Sequence, residues 1–130
     1  MASIDIQMHF ARGFEGELRT QHASAAIGKG EGRISPYELL LGALGSCFYS
    51  TFVDIADKMR LQYDSADMAI SGTKRTEVPT TLEHATLRLT IVGAPEHKGF
   101  DRAVELAGKY CSVHATLSMV ADIQTELHFA

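Results

Sequence analysis

The stretch Ser35-Pro36-Tyr37-Glu38-Leu39-Leu40-Leu41-Gly42-Ala43-Leu44-Gly45-Ser46-Cys47 decides the fold. Its first four residues carry the start signals of a helix. Ser35 suits the N-cap, Pro36 suits the first helical position, and Glu38 stands where its side chain reaches back to the cap, which makes a capping box. From Leu39 the chain is apolar on nearly every side as far as Phe52, and apolar residues continue through Val53, Ile55, Ala56 and Met59. A helix that is hydrophobic all round is buried on more than one face. A small domain does not achieve that alone, so the sequence predicts a dimer with this helix near the interface. Gly42, Gly45 and Ser46 each lower helix propensity, about 1 kcal/mol per glycine relative to alanine, and predict a close backbone approach there.

Upstream, Ile4, Ile6, Met8 and Phe10 alternate with polar residues, the period of a strand with one buried face. Residues 12–16 supply a turn, and Glu17 to Ala25 read as the return strand of a hairpin. Gly28-Lys29-Gly30-Glu31-Gly32 lacks the Lys-Ser/Thr pair of a phosphate-binding loop and reads as a mobile loop. Downstream, Ala66 to Glu77 and Glu83 to Val92 form an antiparallel pair around Val78-Pro79-Thr80-Thr81. The segment Phe100 to Tyr110 has helical spacing, Ser112 to Val120 is a short second helix, and Ile123 to Phe129 alternates as a terminal strand. The class is α+β.

Composition excludes several partners. With 130 residues and 45% apolar content the chain reads as one soluble globular domain over 1–130. A net charge of -4 gives no basic footprint for nucleic acid or a membrane surface. The N-terminus lacks the charged and apolar regions of a secretory signal. The apolar run from Leu39 to Val53 reads as too short and too polar to span a bilayer. A cytoplasmic location follows, where thiols rest reduced.

Chemistry rests on the only two cysteines, Cys47 in the stretch above and Cys111 in Lys109-Tyr110-Cys111-Ser112-Val113-His114. Two thiols in so short a chain point to redox work in which one sulfur reacts and the other resolves it. A buried cysteine is also an ordinary small hydrophobe, and it is the second frame that favours the redox reading. His114 follows Cys111 by three residues and reads as structural. Cys111, His114 and Cys47 are too few and too irregularly spaced for a structural zinc site, so no metal is expected. The other histidines show no paired spacing.

The first frame on a long helix, followed by Glu105-Leu106-Ala107-Gly108-Lys109-Tyr110-Cys111-Ser112-Val113-His114, resembles the OsmC/Ohr family of osmotically inducible and organic-hydroperoxide-resistance proteins, over nearly the whole chain. The resemblance implies antiparallel sheets wrapped around central helices in an intertwined homodimer. It implies a peroxidase acting on small organic hydroperoxides, with Cys47 as nucleophile and Cys111 as resolving thiol. No metal or flavin is implied as cofactor, and the disulfide would be reduced by an external dithiol of the lipoyl type. The family's assisting arginine falls nearest Arg12, with Arg19 as the alternative. Its glutamate directly follows the proline, a position held here by Tyr37, while the acid of this chain stands one place on at Glu38. That shift marks a divergent OsmC-like branch and leaves a rival reading, a non-catalytic small-molecule binder or redox sensor on the same fold.

Overall fold

The computed structural model describes residues 2–130. The chain forms two compact units, residues up to Leu40 and Leu41–Ala130, with the boundary inside a helix.

In the first unit, β1 (Gln7–Phe10), β2 (Glu15–Arg19) and β3 (Ser24–Gly28) make an antiparallel sheet in that order. The single return strand expected from Glu17 to Ala25 is broken in two. Thr20 Oγ1 accepts the backbone N–H groups of His22 and Ala23 at 3.1 and 3.0 Å, so the threonine side chain builds a turn where alternation alone reads as continuous strand. The buried face expected from Ile4 to Phe10 is also absent within the chain. Ile4, Ile6, Met8 and Phe10 are all exposed, and Ile27 is the large apolar side chain this unit buries. The glycine loop forms a turn whose backbone calls for glycine. Gly30 and Gly32 take φ of 90° and 76°, values that favour glycine. Arg33 crosses beneath the turn, donating to the carbonyls of Gly16 and Ile27 at 3.1 Å each.

The capping box at Ser35 is as expected. Glu38 Oε1 accepts the Ser35 N–H at 2.9 Å, and Ser35 Oγ accepts the Glu38 N–H at 3.4 Å. The helix it opens, α1, runs Pro36–Lys58. At 23 residues the whole helix, longer than the apolar run Leu39–Val53, is long and apolar enough to cross a membrane by length and composition, a test that a core helix also passes. All-round burial is not realised within one chain. The buried residues form a stripe of Leu44, Phe48, Phe52 and Ala56, with Gly45 beside it, while Gly42, Ala43, Ser46 and Ser50 are exposed.

In the second unit, β4 (Ser65–Lys74), β5 (Leu82–Val92), α2 (Phe100–Tyr110), α3 (Ser112–Ser118) and β6 (Asp122–Phe129) follow in order. β4 pairs antiparallel with β5, and β6 pairs parallel to β5 on its other side. The expectation of purely antiparallel sheets holds for the first sheet; the second is mixed. Parallel neighbours need a long crossover, and α2 with α3 supplies it. Leu87, Leu89 and Ile91 of β5, the α1 stripe, and Phe100, Ala103 and Ala107 of α2 make up the buried core of this unit, all at 0–1% exposure. Phe52 stacks on Phe100 at 6.4 Å, and Phe100 meets Phe129 edge-on at 5.5 Å. These contacts anchor the start of α2 at Phe100, and Cys111 stands at its other end.

Candidate active site

Cys111 joins two helices. Its backbone N–H closes α2 by donating to the Ala107 carbonyl at 2.9 Å, and its Sγ caps α3 by accepting the His114 N–H at 3.4 Å. A thiol serves here where serine or aspartate usually does. The sulfur is fully buried. The last turn of α2 runs beside α1: a Cβ added at Gly108 would stand 4.0 Å from the Phe48 ring, one residue beyond Cys47. The half-buried Cys47 is thereby brought to the first turn of α3, with its Sγ 3.9 Å from Ser112 Oγ.

The two thiols are free and electrostatically unlike. The Val113 N–H, aimed at Cys47, holds that thiol below the usual cysteine range against the opposing effect of burial. The Cys111 thiol and the hydroxyl and N–H of Ser112 add to the lowering. Burial pushes Cys111 upward, opposed by the His114 N–H and reinforced by Cys47. Hydrogen bonds to the anion favour thiolate at one sulfur, and desolvation favours thiol at the other. Such a pair can present a nucleophile and a proton-bearing neighbour together.

The remaining predicted residues, Glu38, Arg12 and Arg19, belong to the first unit. Glu38 is exposed, and the Ser35 N–H and then the Ser35 hydroxyl hold its carboxyl below the usual range. Arg12 lies exposed in the turn between β1 and β2, and Arg19 pairs with Glu17. Both arginines belong to the first unit and the cysteines to the second. His114 Nδ1 lies 3.2 Å from Ser118 Oγ, and burial lowers its pKa, so the ring is neutral at pH 7 and supplies no cation to the sulfurs. Among the described residues no group of three or more histidine, cysteine or acidic side chains could hold a metal. Ser112 and Val113 went unnoticed in the sequence. Their one signal there is that a helix begins directly after a cysteine.

The OsmC-like protein family model matches residues 28–126. Protein YhfA of Escherichia coli strain K12 is 31% identical over 113 residues, covering 85% of this chain and 84% of YhfA. Among solved structures, the OsmC-like protein of Mycoplasma pneumoniae superposes with a TM-score of 0.87 at 17% identity, over 99% of this chain and 98% of its own. The organic hydroperoxide resistance protein OhrB of Bacillus subtilis does so at 0.70 and 15% identity, over 97% and 98%. With a family model matched over residues 28–126 and a relative 31% identical over 85% of its length, this chain belongs to the OsmC-like protein family.

Proposed function

We propose that the protein is a thiol-dependent peroxidase that reduces organic hydroperoxides in oxidative-stress defence. Membership of the OsmC-like family suggests a role in oxidative or osmotic stress, and the likeness to a hydroperoxide resistance protein favours the first. The observation that carries the reading is the asymmetric sulfur pair: the half-buried Cys47 meets Ser112 at the start of α3 and is held below the usual cysteine range, while the buried Cys111 is pushed above it. The Cys47 thiolate attacks the outer peroxide oxygen, the O–O bond breaks, and the alkoxide leaves to take up a proton as the alcohol. The resulting sulfenic acid condenses with the Cys111 thiol, releasing water and forming the disulfide. An external dithiol, of the lipoyl type by family likeness, gives two electrons and two protons to restore both thiols. No metal or flavin enters these steps. Arg12 is the cation proposed to orient the peroxide, and the enzyme is proposed to act as a cytoplasmic homodimer.

One observation favours the rival reading, a redox sensor or small-molecule binder. The carboxylate of Glu38 is occupied in the capping box, so a second role for it in catalysis must compete with the Ser35 N–H. Hydroperoxide consumption in the presence of a dithiol separates the two. A peroxidase consumes peroxide far faster than a free thiol at equal concentration, loses that rate in Cys47→Ser, and stops after one equivalent in Cys111→Ser. Wild-type consumption no faster than free thiol selects the sensor or binder.

A further inference from the structure

We propose that Ser112 is a further catalytic residue of this site, its hydroxyl donating a hydrogen bond to the Cys47 sulfur and favouring its thiolate form. The inference rests on the reading above only in taking Cys47 as the nucleophile.

Ser112 Oγ lies 3.9 Å from Cys47 Sγ, at the long end of a sulfur hydrogen bond, and among the described residues that oxygen has no other hydrogen-bond partner. The serine cannot easily drift away. On one side Cys111 caps its helix through the His114 N–H. On the other, Thr116 Oγ1 donates to the Ser112 carbonyl at 2.9 Å. A thiolate is an acceptor only, and a hydroxyl supplies one proton that can rotate to meet it. The backbone N–H groups of Ser112 and Val113 act on the same sulfur but are fixed in direction. The hydroxyl is therefore the adjustable donor of the three, able to follow the sulfur as it approaches a substrate. Because Ser112 is exposed, water competes for this bond, and its effect on Cys47 is moderate rather than decisive.

The test is the pH dependence of Cys47 alkylation by iodoacetamide in the reduced full-length protein, read by mass spectrometry of the Cys47 peptide. Ser112→Ala is expected to move the midpoint upward by about half a pH unit, which is about a threefold lower rate below the midpoint. Ser112→Thr, which keeps the hydroxyl, is expected to restore it. A purely structural serine would alter the melting temperature and leave the midpoint in place, and an unchanged midpoint in a folded Ser112→Ala overturns the proposal. Should that variant fail to fold, Ser112→Thr against Ser112→Val replaces it, and equal midpoints in that pair overturn it likewise. No peroxide enters the measurement, so it stays decisive even if the protein proves not to consume hydroperoxide.

Discussion

At Cys47 the chemistry depends on a balance between burial, which favours the neutral thiol, and amide and hydroxyl donors, which favour the anion. The donors prevail because the sulfur is only half-buried and meets the open end of a helix, where N–H groups lack partners. Glu38 follows the same rule outside the site. Its folded-state pKa is lowered by Ser35, so its contribution to stability is fully present above the ordinary glutamate range, about 4.3. That contribution is lost as pH falls through the lower folded value. Glu38→Gln keeps a capping box and removes this titration. Thermal melts at pH 7 and near pH 3 should therefore show a smaller acid-induced fall in melting temperature for the variant than for wild type. A large loss of peroxidase rate in the same variant would mean that Glu38 also serves the reaction. The capping role could be read from the position of the glutamate, but a role in the reaction could not, since the third helical place serves either.

Among the elements, α1 was the most legible, because its start signals are local and its apolar run is long. What the run could not say is which face meets what. Gly45 is pressed by Ile70 of β4, where an added methyl would collide, whereas Gly42 meets nothing within 4 Å in the chain. The close approach predicted from the glycines thus comes from a side chain, and at one glycine only. Gly42→Ala should raise stability by about 1 kcal/mol through helix propensity. Gly45→Ala should forfeit that gain to overpacking, which costs about 1–3 kcal/mol. Denaturant melts give both values, and a loss at Gly42 would mean that a second chain packs against that face. The split between β2 and β3 was hidden because Thr20 makes its turn with a side chain rather than with Gly or Pro. The parallel partner of β6 was hidden because alternation gives the buried face of a strand, never its direction. The meeting of Cys47 with α3 depends on α2 packing over Phe48 across sixty residues of sequence, and no local pattern encodes it.

For the molecule as a whole, the first unit exposes Ile4, Ile6, Met8, Phe10 and Phe14. A three-stranded sheet that covers so little of its apolar surface is poorly stabilised alone, which supports the proposed homodimer. Light scattering at micromolar concentration should report about twice the 14.2 kDa chain mass, with a melting temperature that rises with concentration. A stable monomer would refute the dimer and leave the sulfur chemistry standing. The central claim is that Cys47 reacts with hydroperoxide and Cys111 resolves it. One equivalent of an organic hydroperoxide added to the reduced protein, followed by intact-mass measurement and peptide mapping, tests it most directly. The account predicts the loss of two hydrogens and a Cys47–Cys111 disulfide within one chain. Sulfinic acid on Cys47 with Cys111 still free, or two unmodified thiols, would contradict it.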